Sequence, residues 1–368
     1  MRIAVIGPTY PYRGGIANFT TLLTKALREE HEVLLISYSR QYPKWLFPGK
    51  SDQDPSENPI TTEAEYLIDS INPLTWLRTL WRLRQFGPEV VVMQWWVVFW
   101  APLCLVLGWG VRLLRNRPKL AIIVHNAQPH EASTIDKVAT RLGLSAADQL
   151  VAQAQSDGDI LKQQFASKQV VVTPLPTYAA LGDNVLNSAE LPHPPDKPLL
   201  LFCGLIRPYK GLDILLDAMP LVLVKCEVHL AIVGEMWNGG ENYLAQIERL
   251  GLQPHITLEN EYVANERLAA WIKSAEVVVL PYRTATQSAV LQSAFGLETP
   301  VITTAVGGLP DVVDHGRTGL LVPPEDPTAL AEAIIQFLDD QLRPQFVEHI
   351  RAQQARFSWQ TYIEQLLM

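Results

Sequence analysis

The sequence predicts an α/β protein built from two doubly wound domains that face a central cleft. Three observations carry this. At 368 residues the chain exceeds one small core, and at roughly 100–200 residues per domain it asks for two. Short β-branched apolar runs alternate with segments of helical spacing, which is the pattern of a parallel sheet covered on both faces. A proline-rich stretch interrupts that alternation, and the alternation then restarts.

Arg2–Ile6 reads as a short buried strand ending in the turn-rich GPTYPYRGG. Ile16, Phe19, Leu22, Leu23, Ala26 and Leu27 then recur at helical spacing. Val33–Ser37 is a second strand. Residues 39–61 hold five prolines or glycines among polar groups and form a long loop, a kind that is often functional. Leu74–Phe86 is helical, and Val90–Gln94 and Leu120–Val124 are strands. The second strand leads into the polar HNAQPHE turn, and Val170–Thr173 closes this half. Residues 181–198 carry four prolines and little apolar periodicity, so they are the linker between a domain over 1–180 and another over 199–344.

The second domain reads as strands at Leu199–Cys203, Val228–Val233, Ile256–Leu258, Val277–Leu280 and Val301–Thr304. Between them lie helices at Leu212–Met219, Tyr243–Leu250, Leu268–Ser274 and Ser288–Leu297. One segment competes with this scheme. Val90–Val111 is 22 residues without a charge, long enough to span a bilayer. Its first part is β-branched and aromatic, Pro102 breaks it, and Gly108 and Gly110 interrupt the rest, so a strand followed by a helix is the favoured reading.

Composition narrows the function. With 48% hydrophobic and 18% charged residues the chain is not disordered, and a net charge of −8 excludes a generally basic, nucleic-acid-coating protein. Cys104, Cys203 and Cys226 are too scattered for a disulfide framework or a zinc site, which fits a reducing cytoplasm. The apolar run before Gly7 is too short for a secretory leader. Charge is unevenly spread: residues 1–180 hold 18 basic and 15 acidic side chains, and the remainder 12 and 23. Seven of the ten tryptophans also lie in the first half. Tryptophan with basic charge suits a membrane-facing surface, the alternative being that most of these rings are core.

In open α/β sheets ligands bind beyond the carboxyl ends of the strands, and the polar residues of this chain gather there. Gly14-Gly15 follows the first strand and opens a helix, letting backbone approach an anion. The nicotinamide fingerprint GxGxxG is absent, against a dehydrogenase. RPYKG after Leu199–Cys203 places Arg207 and Lys210 before a helix, two cations suited to a diphosphate. After Val277–Leu280 comes TATQS, where Thr286 or Ser288 can cap a helix with anion-binding amides. Gly307-Gly308 repeats the arrangement after the next strand. In the first domain His125-Asn126 and His130-Glu131 follow a strand and can hydrogen-bond a sugar or reacting group. Asp157-Gly-Asp159 matches a DxD metal motif so short that chance explains it, and no metal is assigned.

In order, GGI, VHNAQPHE, GLIRPYKGLD, PYRTATQSAVLQ and TPVITTAVGGLPDVVDHGRTGLLVPPEDP resemble the group 1, retaining GT-B glycosyltransferases across nearly the whole chain. The resemblance implies two Rossmann-like domains, with the acceptor on the first and a nucleoside-diphosphate sugar on the second. It also implies a final helix within 345–368 crossing back to the first domain, as FSWQTYIEQLL suggests. Gly15 and Gly14 would lie under the donor and His125 at the reacting sugar. Arg207 and Lys210 would neutralise the leaving diphosphate. Glu235, Thr286, Gln287, Ser288, Gln292, Gly307 and Gly308 would complete the donor site. Asn126, His130, Glu131, Trp95 and Trp96 would meet the acceptor, aided by the 39–61 loop. No cofactor is implied beyond the donor.

The chain departs from the family pattern at several points. The paired glutamates usual before Pro300 are replaced by Ala285 and Ser293. Leu205 stands where an arginine is common, Glu298 where a glycine is common, and Asp311 where a glutamate is common. The reading is a cytoplasmic, metal-independent enzyme, peripheral on the membrane, that moves a sugar to a glycan or lipid-linked acceptor. Its rivals are a catalytically silent nucleotide-sugar-binding protein and a GT-B sugar-nucleotide epimerase.

Overall fold

The computed structural model describes residues 1–368 other than 44, 47–48, 50, 128–133, 184, 187–190, 195 and 238–239. The chain forms two compact units. Residues 1–54, 59–174 and 359–368 make the first, and residues 55–58 and 175–358 make the second.

The first unit runs β1 (Arg2–Ile6), α1 (Gly15–Arg28), β2 (Glu32–Arg40), β3 (Glu65–Asp69), α2 (Pro73–Phe86), β4 (Val90–Trp95), α3 (Ala101–Arg112), β5 (Lys119–Val124), α4 (Thr134–Gly143), β6 (Gln149–Ala152), α5 (Gln155–Gln164) and β7 (Gln169–Val172). Its sheet is parallel in the order β3-β2-β1-β4-β5-β6-β7. The central strands are continuous apolar runs because helices cover both faces. Local chemistry sets the helix ends. Asn72 accepts from the Leu74 N–H at 3.1 Å, Pro73 opens α2, and Gly87 ends it at φ 62° with its N–H on the Leu83 carbonyl.

The second unit runs β8 (Leu199–Cys203), α6 (Leu212–Leu223), β9 (His229–Val233), α7 (Gly240–Arg249), β10 (Ile256–Glu259), α8 (Asn265–Ser274), β11 (Val277–Leu280), α9 (Ala289–Gly296), β12 (Val301–Thr304), β13 (Gly319–Val322), α10 (Pro327–Asp339) and α11 (Arg343–Gln353). These strands are also parallel, ordered β10-β9-β8-β11-β12-β13. In each sheet the order reverses beside the first strand, between β1 and β4 and between β8 and β11. Those are the crevices where doubly wound sheets take ligands. The residue before α8 is Ala264, which has no capping oxygen. Ser56 from the long loop accepts the Asn265 N–H at 2.9 Å instead, and Glu266 accepts the Glu57 N–H at 2.8 Å. This loop segment therefore belongs to the second unit.

The units divide between 174 and 175, ahead of the expected boundary at 180. Residues 175–182 pack on α9, with the Tyr178 N–H on the Gln292 carbonyl, and a Cβ at Gly296 would strike the backbone of Tyr178 and Ala179. Of the segment 345–368, α11 stays in the second unit. Only α12 (Trp359–Leu367) joins the first, where the Tyr362 ring meets Phe19 at 5.5 Å and the Gln365 carbonyl accepts from Gln149. Val90–Val111 resolves into β4, a short turn of helix at 98–100 and α3. No helix among the described residues is long and apolar enough to cross a membrane. Trp76, Trp95, Trp96 and Trp100 are core, whereas Trp45, Trp81 and Trp109 are exposed.

Candidate functional site

In the second unit, polar residues converge on the β8–β11 crevice. β8 ends at Gly204 and β9 at Gly234. A Cβ on Gly234 would lie 2.0 Å from the Gly204 carbonyl, so the two strand ends touch backbone to backbone. The chain beyond β8 stays stitched to that beyond β9 through the Ile206 N–H on the Glu235 carbonyl and the Trp237 N–H on the Ile206 carbonyl. This brings the predicted Glu235 to the same strand edge as Arg207 and Lys210.

A Cβ on Gly204 would sit 3.1 Å from Lys210 Nζ and 3.0 Å from Val290 in the first turn of α9. Over this bare glycine, a lysine ammonium therefore meets a helix N-terminus, and both favour an anion. Lys210 is only 7% exposed and has no ion-pair partner among the described residues. Its nearest aromatic face is Tyr282, 5.5 Å away. Burial pushes its pKa down to about 8 and nearby Arg207 pushes the same way, while Cys203 opposes. Arg207 is exposed, its guanidinium 4.7 Å over the Trp237 ring.

Neighbouring loops are fixed by contacts between distant residues. Gly307 has φ 52°, and a Cβ there would lie 1.5 Å from the Ala285 carbonyl, so only glycine fits. The Gly308 N–H donates to the Thr286 carbonyl at 3.0 Å, and the Gln287 amide donates to the Gly308 carbonyl at 3.5 Å. The predicted 285–288 and 307–308 segments thus form one stitched pair. Ser288, not Thr286, caps α9 by accepting the Leu291 N–H. Gln292 is fully buried, and neither end of its amide has a partner among the described residues.

One participant was not read from the sequence. Arg283 grips Asp213 with two bonds of 2.9 and 2.7 Å, reaches Glu325 at 2.9 Å, and donates to the Pro208 carbonyl at 2.8 Å. It braces the 208–213 turn that carries Lys210, and these carboxylates hold it firmly charged. The signal was the arginine of PYR directly after a strand.

In the first unit His125 follows β5, half-buried. Its Nδ1 lies 3.0 Å from Gln153 Oε1 and its Nε2 2.5 Å from Gln94 Oε1, with the ring edge-on to Phe19. Burial pushes its pKa down to about 4, so the ring is neutral and carries one N–H. One glutamine must therefore turn its amide to donate. Gln94, whose Nε2 has no other partner among the described residues, can do so. Gln153 and Gln94 thus fix the orientation of a neutral imidazole at this strand end.

Two residues expected to face an acceptor are buried. Trp95 is buried in the core, its ring against Gly143, and Trp96 is buried with Nε1 on the Tyr42 hydroxyl and its ring 4.8 Å from Trp100. β4 is the central strand of its sheet, and both rings are packed into the core rather than presented at the strand-end surface. Asn126 stays at the same strand end, its Oδ1 buried without a partner among the described residues. His130 and Glu131 lie outside the described residues. Gly14 has φ 105° and caps α1 with open space where a Cβ would stand, and Gly15, the first residue of the helix, is exposed. Buried Asp157 accepts the Ala127 N–H, and burial raises its pKa to about 6. No group of three or more His, Cys, Asp or Glu among the described residues is placed to hold a metal ion.

The chain is similar to known proteins in sequence and in fold. Residues 197–340 match the family model described as Glycosyl transferases group 1. D-inositol 3-phosphate glycosyltransferase from Streptomyces avermitilis is 30% identical over 273 residues, covering 69% of this chain and 58% of that protein. The protein of that name from Segniliparus rotundus is 31% identical, with 71% and 62% covered. The chain thus spans about three fifths of the length of these curated relatives. Among solved structures, sucrose-phosphate synthase from Thermosynechococcus elongatus superposes with a TM-score of 0.72 at 22% identity, covering 99% of this chain and 97% of that one. Anabaena HepE in complex with UDP-glucose gives 0.71 at 18%, covering 100% and 98%. The segment 197–340, which carries the stitched loops and the buried lysine, belongs to the group 1 glycosyl transferases, within a chain of the GT-B fold.

Proposed function

We propose that this protein transfers a hexose from a nucleoside-diphosphate sugar to a glycan or lipid-linked acceptor, without a metal and with retention at the anomeric carbon. A buried ammonium without a counter-ion, set over a bare glycine at a helix N-terminus, carries the reading. Such a charge is costly unless an anion satisfies it, and a diphosphate does so. The UDP and UDP-glucose held by Anabaena HepE support this class of donor.

As the glycosidic bond to the diphosphate breaks, negative charge grows on the leaving oxygens. Lys210, Arg207 and the amides of α9 stabilise that charge where it develops, and Arg283 holds the lysine turn in place. Gln292 offers an unsatisfied amide to a ribose or sugar hydroxyl. A lipid-linked acceptor would bring the protein to a cytoplasmic membrane surface, in keeping with a part in cell-envelope polysaccharide synthesis.

One observation favours the silent-binder rival. Neither residue at the usual glutamate positions supplies a carboxylate, and the Ser293 hydroxyl is spent on the Ala289 carbonyl at 2.8 Å. The deciding experiment incubates the protein with UDP-, GDP- and ADP-sugars over an acceptor panel, following nucleotide release and the product's anomeric configuration by NMR. Acceptor-dependent release with retention supports the transferase. Donor binding without turnover supports the binder, and a new sugar nucleotide formed from donor alone supports the epimerase.

A further inference from the structure

Helices α2, α3 and α4 lie side by side on one face of the first unit's sheet. The Leu80 side chain of α2 reaches the position a Cβ on Gly110 of α3 would take. The Trp109 indole of α3 donates to Ser145, whose hydroxyl donates to the Leu142 carbonyl at the end of α4. Helices α2 and α3 each bury one apolar stripe against the sheet and turn a second outward, whereas α4 buries only Thr140 and Gly143 and leaves its large apolar side chains outside. On α2 the outward stripe is Leu74, Leu77 and Trp81, exposed by 74, 57 and 60%. On α3 it continues through Val106 and Trp109 to Leu113 just past the helix end, 85% exposed. On α4 it is Ile135, Val138 and Leu142, the first 79% exposed. All three follow the spacing i, i+3, i+7, so each forms a line along its helix. Nine large apolar side chains on adjacent helices exceed what scattered surface leucines produce.

The charge of the surface indicates what covers it. Between residues 70 and 143, the span of the three helices, there are nine lysines and arginines and three acids, Glu89, Glu131 and Asp136, in a chain whose net charge is −8. Arg82 and Arg112 are paired with Glu65 and Asp148. Arg78, Arg84, Arg115 and Arg117 are exposed, with no ion-pair partner among the described residues. A second copy docked face to face would set these cations against each other.

We infer that this three-helix face is a docking surface for an anionic lipid bilayer, with the leucines and tryptophans entering the headgroup boundary and the arginines meeting acidic headgroups. This extends the proposed attachment by assigning the surface, and it does not depend on the donor site in the other unit.

The test is flotation of the purified protein with vesicles of phosphatidylcholine alone, or of equal parts phosphatidylcholine and phosphatidylglycerol, at low and high salt. Binding is expected to the acidic vesicles at low salt, weakening roughly fivefold for each arginine replaced in Arg78→Gln and Arg84→Gln. Leu77→Gln, Trp81→Gln and Leu113→Gln together abolish it, while the circular dichroism spectrum and any thermal shift with UDP stay unchanged. Brominated acyl chains quench wild-type tryptophan fluorescence, and less so in Trp81→Phe with Trp109→Phe. Equal binding to neutral vesicles, or none to acidic ones, overturns the inference. So does a wild-type dimer that the triple variant converts to monomer. Absent donor turnover alongside acidic-vesicle binding would sink the transferase reading and leave this one standing.

Discussion

Lys210 yields the sharpest expectation, because one substitution changes stability and binding in opposite directions. Its pKa falls from 10.5 to about 8 on burial, so the charged form is about 3 kcal/mol worse off in the native chain than in the unfolded one. The unfolded chain keeps its proton up to 10.5 while the native one loses it near 8. Between those values the unfolded state binds more protons, and stability from this group rises with pH across that window. At pH 7 the full penalty stands. Lys210→Met keeps the volume and removes the charge, so the ligand-free protein gains about 3 kcal/mol at pH 7, raising the melting temperature of the second unit by several degrees.

A bound diphosphate supplies the missing counter-ion and lifts the pKa again. Affinity for UDP therefore declines as pH rises above 8, approaching tenfold per unit. Calorimetric melting with and without UDP at pH 7 and pH 9, on wild type and Lys210→Met, reads both effects. A methionine variant less stable than wild type at pH 7, with its UDP shift intact, refutes the reasoning: the lysine would then be a satisfied structural group rather than a waiting anion site.

Other expectations follow from single contacts. His125, neutral down to about pH 4 against an ordinary 6.5, takes up its proton earlier in the unfolded chain, so its share of stability is lost as pH falls from 6.5 toward 4. His125→Asn flattens that slope relative to wild type in acid titrations followed by circular dichroism. Gly307→Ala places a methyl 1.5 Å from the Ala285 carbonyl, separates the two stitched loops and costs at least about 2 kcal/mol, with loss of the UDP thermal shift. Ser56→Ala removes the borrowed cap of α8 and costs about 1 kcal/mol in urea unfolding, while Ser56→Thr restores most of it.

The strands β1, β8, β11 and β12 were legible to the residue, because strands buried on both faces are unbroken apolar runs bounded by turns. β3 was missed: EYLID is a short edge strand with two acids and little burial. α5 was missed because QSDGDILKQQ buries only one large apolar side chain and shows little periodicity. α6 was read as ending at Met219, yet the helix continues through Pro220 to Leu223.

Residues at strand ends were read by position, since a parallel sheet delivers Gly14, His125, Arg207, Lys210 and Gly307 to the ends where ligands bind. The brace at Arg283 was not legible, because its carboxylates lie 70 and 42 residues away in the chain. Nor was the burial of Trp95 and Trp96, two rings at a strand end that the following turn covers. Local sequence determined which side chains each strand end carries. The tertiary structure decided which ends are neighbours and which groups lose their water. Arg207 and Lys210 show the difference: three residues apart and alike in charge, one lies in solvent against an indole and the other is buried without a counter-ion. Desolvation depends on everything packed around a group, and around Lys210 that includes Tyr282 and the start of α9, more than 70 residues further along the chain.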